Sequence, residues 1–323
     1  SACLVGSEMC IRDSPYIVTG ASSTLITRRT DVDTSCIFHH IAVAPLFGER
    51  VMLWAAEQLR PALIEKFNLA ADYSLRVAFL YRDDAFGKGT LDGAEGIIAG
   101  KDLPMEIVAK EKFAAGEKTF VEVLTKIKTA KPDFLFSVAM VGENIAIFTQ
   151  ARRDVGLKVI IAATENNDVP DLYKGFGEWG DYMILQSRWS TYSIPRGPTY
   201  DAIVKHRDAF FKKWGTYPGM MGVVTYEGVY VYAKAAEIAG TLDKAKIIQT
   251  LSTIEMPQML QMIDGGVIKY SKDYRELPIV HFIQQLRYDD TLKEPRPKIV
   301  WPDSLKEPDA QFVLPDWYEL GGT

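Results

Sequence analysis

The chain has 323 residues, 47% hydrophobic and 24% charged, with a net charge of −5. That length exceeds what a single hydrophobic core serves, so two units of ordinary domain size are expected. The acidic balance and the scattered basic residues argue against nucleic acid as a partner, and no stretch approaches the roughly 18 consecutive apolar residues of a membrane span.

Ser1 to Ser14 lacks the basic start and apolar core of an export signal. Its run Cys3-Leu4-Val5-Gly6-Ser7-Glu8-Met9-Cys10 resembles translated sequencing-adapter DNA, so residues 1–14 are expected to be a non-native extension. Two of the three cysteines fall there, which leaves Cys36 uninformative about compartment; a Cys3–Cys10 disulfide or metal pair is the alternative.

Pro15 to Gly20 reads as a short buried strand, followed by the small, hydroxylated turn Ala21-Ser22-Ser23-Thr24. Such a turn either presents backbone N–H groups to an anion or caps a short helix through Ser22 or Ser23. Ile37 to Val43 is strand-like and carries His39-His40, which face opposite sides of a strand and so suit structural roles better than one metal. Pro45 opens an amphipathic helix with Phe47, Val51, Ala55 and Leu59 on one face; Pro61 is expected to kink or end it.

From Ser74 to Glu165, apolar runs of strand length (75–81, 106–109, 134–139, 159–163) alternate with amphipathic helical segments, the rhythm of βαβ units feeding a parallel sheet. Ligands of such sheets gather at the carboxyl ends of the strands. Those ends carry Asp83-Asp84-Ala85-Phe86-Gly87, Met140-Val141-Gly142 and Thr164-Glu165-Asn166-Asn167, with no nucleophile and base among them. Paired carboxylates such as Asp83 and Asp84 serve a divalent cation, divide acid and base roles, or cap a helix. Gly87-Lys88-Gly89 lacks phosphate-loop spacing, so no nucleotide is expected. Glu165 is open to three roles: partner of a ligand ammonium, internal salt bridge or general base.

Helices are expected over 120–128, 143–155 and 171–177, and a strand over 182–188. Residues 189–198 read as a crossing segment, followed by helices over 200–214, 224–239 and 243–253 and strand character near 265–270 and 278–287. The aromatic series Tyr226, Tyr230, Tyr232 reads as helix packing. The Pro-rich tail from Glu294 is expected to run extended over the surface.

Several phrases in order resemble the type I periplasmic solute-binding proteins of ABC transporters, in particular the leucine/isoleucine/valine-binding branch. They are Pro15-Tyr16-Ile17-Val18 through Ala21-Ser22-Ser23 and Ile26-Thr27; Tyr81 through Asp84-Ala85-Phe86-Gly87-Lys88-Gly89; Gln150-Ala151-Arg152 through Gly156-Leu157-Lys158; and Thr225-Tyr226. The resemblance implies an α/β fold of two doubly wound Rossmann-like lobes, the first incomplete. Residues 15–72 and 190–293 would form the first lobe, 73–189 the second, and 294–323 a tail packing back on the lobes.

The resemblance also implies a site without catalytic residues, cofactor or metal. Gly20, Ala21 and Ser22 would hold the ligand carboxylate, Glu165 its amino group, and Phe86, Met140 and Met221 would close over it. The family often places tyrosine at the last three positions, and methionine at two of them leaves an apolar, adaptable wall. The implied ligand is a branched-chain or other hydrophobic amino acid, or an aromatic or aliphatic acid or amide. The other implied partners are the transporter's membrane subunits. The implied location is the periplasm, with the export signal lost alongside two or three leading βα units. The implied mechanism is hinge closure, with the turn after Val18 and Glu165 on facing walls of one cleft. A cytoplasmic ligand-sensing regulator on the same fold, or an α/β enzyme using Asp83, Asp84 or Glu165, are the alternatives.

Overall fold

A computed structural model describes residues 14–322. The chain opens with strands β1 (Tyr16–Val18) and β2 (Ile37–His39), followed by helices α1 (Ala44–Trp54) and α2 (Arg60–Phe67) on either side of a π turn, Ala55–Leu59. Then come β3 (Leu75–Arg82), α3 (Ala85–Gly100), β4 (Met105–Phe113), α4 (Val121–Thr129), β5 (Phe134–Val138), α5 (Val141–Thr149), a second π turn (Gln150–Asp154), β6 (Ile160–Ala163), α6 (Pro170–Phe176) and β7 (Ile184–Ser187). The last part comprises α7 (Tyr200–Trp214), α8 (Met220–Ala239), α9 (Lys244–Thr253), the short β8 (Met256–Pro257) and β9 (Val267–Ile268), and the long β10 (Phe282–Asp289) and β11 (Glu294–Trp301).

Two compact units divide at Ala44/Pro45, Gly197/Pro198 and Val280/His281. Residues 45–72, expected in the first lobe, therefore belong to the second unit. The reason is burial: Trp54, Leu59 and Leu63 are wholly buried in the same apolar cluster as Val77, Phe79, Phe134 and Phe136 of its sheet. A π turn precedes Pro61, and the helical run continues past the proline rather than ending there. Arg60 N–H donates to Ala55 O rather than to the carbonyl four residues back, which widens the backbone where a proline ring would otherwise collide.

The second unit holds a seven-stranded sheet in the order β11-β10-β7-β6-β5-β3-β4. β3 pairs parallel with both β4 and β5, and β5, β6 and β7 continue parallel, while β10 and β11 add antiparallel strands at one edge. The chain leaves β3 for β4 on one side and returns to β5 on the other, so the strand order reverses between β3 and β5. β5 and β6 are buried along their full length, as parallel strands covered on both faces require.

The tail expected on the surface instead enters this sheet as β11 and then straps the unit. Gln285 exchanges hydrogen bonds with Val313 N and O at 2.9 and 2.8 Å, and Lys66 Nζ donates to Pro315 O at 2.7 Å. The Tyr318 hydroxyl donates to Asp133 O at 2.9 Å.

In the first unit, parallel pairing among the described residues is confined to β1–β2, with an isolated bridge from His39 to Glu276 and an antiparallel β8–β9 pair. α8 buries Val223, Val224, Glu227, Gly228 and Val231 on one face. At Gly228 a Cβ would lie 3.0 Å from the Thr19 methyl after β1, so the helix packs tightly there. Cys36 is buried just before β2 and is disulfide-bonded. The Cys3–Cys10 expectation lies outside the described residues.

Candidate functional site

The turn after β1 is the first unit's contribution. Gly20 and Ala21 are exposed and Ser22 is half-buried. Among the described residues, none of their three N–H groups has an acceptor, whereas Ser22 O is fixed by Ala44 N at 2.7 Å and Ala21 O lies 2.6 Å from His39 Nε2. The capping role falls to Ser23, whose hydroxyl accepts from Leu25 N at 3.3 Å at the head of a single 3₁₀ turn. Backbone with its carbonyls engaged and its N–H groups unengaged is chemically able to accept an anion. Glu276 secures the segment behind it, accepting from Thr27 Oγ1 at 2.9 Å and from both arms of Arg28 at 2.9 and 2.7 Å. Met221, exposed in the first turn of α8, lies beside Gly20: its sulfur is 4.0 Å from where a Cβ at Gly20 would stand. One expected carboxylate-holding position and one expected ligand-closing position thus meet.

His40 sits behind this wall in a closed polar network. Its Nε2 is 3.0 Å from Glu227 Oε1 and its Nδ1 2.9 Å from the Tyr270 hydroxyl. Glu227 also accepts from Leu260 N, Gln261 N and Gln261 Nε2 at 2.7, 3.0 and 3.0 Å. Burial works to raise the Glu227 carboxyl, yet the His40 and Gln261 donors outweigh it and hold it below its ordinary value. The paired histidines therefore do different work: His39 props the turn after β1 and His40 anchors a buried acid. His39 was not recognised from sequence as a positioning residue.

The second unit contributes the carboxyl ends of its parallel strands, where β3 and β5 flank the reversal of strand order. Asp84 caps α3, accepting from Gly87 N at 2.9 Å, and is paired with Arg82 at 2.7 Å. Asp83 turns away to Lys112 and Lys88, and the hydrogen bonds from these lysines, Lys112 foremost, bring it down to about 2. The two carboxylates are thus spent separately on cations and a helix end. Phe86 is half-buried, its ring 6.0 Å from that of Phe47. Met140 precedes α5 with its side chain exposed, and Asn166 Nδ2 reaches both its sulfur (3.4 Å) and Ala139 O (3.1 Å).

Glu165 is buried and is ion-paired through Oε1 with the equally buried Arg188. Its backbone N–H donates to Gln186 Oε1 at 3.3 Å, while Oε2 accepts no hydrogen bond among the described residues. The nearest base, His281 Nε2, stands 3.7 Å from Oε2, beyond hydrogen-bonding distance, and neither ring nitrogen of His281 makes a hydrogen bond among the described residues. Burial first, then the positive charges of Arg188 and Arg50, push His281 well below its ordinary value, so it is neutral. Burial also raises Glu165 to about 7 against the opposing pull of Arg188. Phe47 joins the two ends of this group, its ring being 5.7 Å from His281 and 6.0 Å from Phe86. Phe86, Glu165 and Met140 are thereby gathered in one unit, and Gly20, Ala21, Ser22 and Met221 in the other. Sequence reasoning missed Arg188, His281 and Phe47. The end of a buried strand was a signal for Arg188; nothing pointed to the other two.

The family model described as "Periplasmic binding protein" matches residues 8–273. Among solved structures, the chain is similar to a leucine-binding protein of Thermotoga maritima, at 15% identity and a TM-score of 0.69 over 94% of this chain and 79% of that one. It is also similar to an ABC-transporter solute-binding protein of Rhodopseudomonas palustris in complex with 3,4-dihydroxybenzoic acid, at 20% identity and a TM-score of 0.69 over 94% and 76%. A second solute-binding protein of R. palustris, in complex with benzoate, matches at 14% identity and a TM-score of 0.67 over 95% and 76%.

Proposed function

The chain belongs to the periplasmic binding protein family, and from that premise we propose that it is the solute-binding component of an ABC transporter, working in the periplasm and capturing a small carboxylate by closure of its two units. The observation that carries this reading is the turn at Gly20–Ser22: three consecutive N–H groups without acceptors among the described residues, on a loop held from behind by His39. A carboxylate accepting such donors exchanges water for charge-assisted hydrogen bonds that strengthen as water is excluded. The second unit brings the half-buried Phe86 ring and the exposed Met140 side chain, an apolar surface suited to the body of the solute. Closure is favoured by whatever affinity the solute has for the closed form over the open one, and the membrane subunits read that form.

The finer choice is between an aromatic or aliphatic acid and an amino acid. Arg188 already engages Glu165, and burial favours the protonated form of that carboxyl, so the acid expected to meet an ammonium is poorly placed to do so. This supports an aromatic acid, the class that two similar proteins were solved with. A hydrophobic amino acid is the second reading, favoured by Glu165 Oε2, which lacks a donor.

A thermal-shift series with benzoate, 3,4-dihydroxybenzoate and leucine tests the proposal, since a binder raises stability as RT ln(1 + [L]/Kd). The expected result is a shift with the aromatic acids that benzamide does not produce, weakened by Ser22→Pro, which removes one of the three donors. A shift with leucine alone would favour the second reading. No shift with any carboxylate would end both.

A further inference from the structure

The amino ends of the second unit's strands hold a cavity of about 350 Å³, lined by Arg152, Leu157, Lys158, Trp179, Asp181 and Trp317 among others. Lys158 precedes β6 and Asp181 precedes β7, so this cavity lies at the opposite end of the sheet from Phe86, Met140 and Glu165. It is a built feature. The π turn at Gln150–Asp154 and the left-handed Gly156 (φ 63°) double the chain back, so that Arg152 donates to Leu157 O at 2.7 Å. The guanidinium lies over the Trp317 ring at 4.0 Å, and Trp317 is itself held edge-on by Tyr182 at 5.9 Å.

Two of the charges around the cavity are paired, while Arg152 and the exposed Glu178 carboxylate have no ion pair among the described residues. Lys158 is bound to Glu319 at 2.5 Å. Asp181 Oδ1 receives Arg287 Nε, Tyr182 N and Tyr288 N at 3.2, 3.1 and 2.9 Å. Arg152 has no carboxylate within 4.0 Å among the described residues. Loss of water around it lowers its pKa to about 9, against only the more distant pull of Asp181. Arg152 is half-buried and faces the cavity with no carboxylate of its own, and the planar fork of arginine matches a carboxylate in particular. Leu157 and Trp179 give the same cavity apolar walls, and its size suits a molecule of one ring.

We propose that this cavity is a second ligand site, which takes a small monocarboxylate with an aromatic or apolar body, its carboxylate on Arg152 and its body against Leu157 and Trp179. The site is independent of the turn at Gly20–Ser22 and stands whether or not that turn binds a solute.

The test is a titration of the full chain with benzoate, followed by the indole N–H resonances of Trp179 and Trp317 assigned by Trp→Phe substitution. Both resonances are expected to move with benzoate and to stay in place with the neutral benzamide. Arg152→Gln should weaken the response at least roughly tenfold, the loss of one charge-assisted contact, with an unchanged melting curve; Ser22→Pro should leave it intact. Indoles that ignore benzoate at millimolar concentration, or that respond equally to benzamide, would overturn the proposal. So would an Arg152→Gln chain that folds and binds as before. If that variant fails to fold, the comparison of benzoate with benzamide in the unaltered chain decides alone.

Discussion

Glu227 in the first unit and Glu165 in the second are both buried glutamates beside a histidine, and they are held in opposite ways. Glu227 accepts four hydrogen bonds spread over both oxygens. Glu165 rests on Arg188 through Oε1 alone, with Oε2 bare and His281 just out of reach. Burial pushes both carboxyls up, but only Glu227 has enough donors to end below its ordinary value, while Glu165 climbs to about 7. The number of donors, more than depth, decides whether a buried acid stays charged. A fully served acid is a structural anchor; a half-served one remains available to a proton or to a ligand.

The sharpest way to break this comparison is to empty the anchor. Glu227→Ala strands two backbone N–H groups, the Gln261 amide and His40 in the core, and should cost about 3–5 kcal/mol of unfolding free energy in denaturant titrations. A loss near that of an average surface mutation would show that the network does not hold the unit.

A pH series of unfolding free energies probes the other member. Between the ordinary glutamate value of 4.5 and the folded value of about 7, the native state carries a proton on Glu165 that the unfolded chain has released. Stability should therefore fall as pH rises through that window, by roughly 2–3 kcal/mol, and Glu165→Gln should flatten the fall. Glu227 runs the other way: its contribution is present above the ordinary value and is lost as pH drops through the lowered one. A rise in stability between pH 5 and 7 that Glu165→Gln abolished would reverse the assignment of the two acids.

The smallest effect belongs to the exposed carboxylates. Asp84→Ala removes the α3 cap and should cost about 1 kcal/mol in the same titration. A larger loss would mean that Asp84 belongs with the buried pair rather than with the helix end.

How far the sequence foretold all this depended on whether a signal was local. The parallel strands of the second unit were legible because burial on both faces makes them continuous apolar runs, and α7 was placed to the residue because Gly215 ends it in the left-handed conformation. β11 was missed because Pro295 and Pro297 speak against a strand. They are tolerated because β11 is the sheet's outermost strand and pairs only with β10, which leaves half its N–H groups without a partner to lose. The exposed turn after β1 could be read from small residues after a short strand. The fate of Glu165 could not, because Arg188 lies 23 residues away on the far side of a helix and a strand, and His281 arrives from the end of the chain.

The widened helical turn at 55–59 ties two features of the chain together. An α-helix of the same span would need one residue fewer, and its backbone carbonyl four positions before Pro61 would then meet the proline ring. Shortening this stretch by one residue is therefore incompatible with Pro61, and replacing Pro61 alone removes the reason for the extra residue.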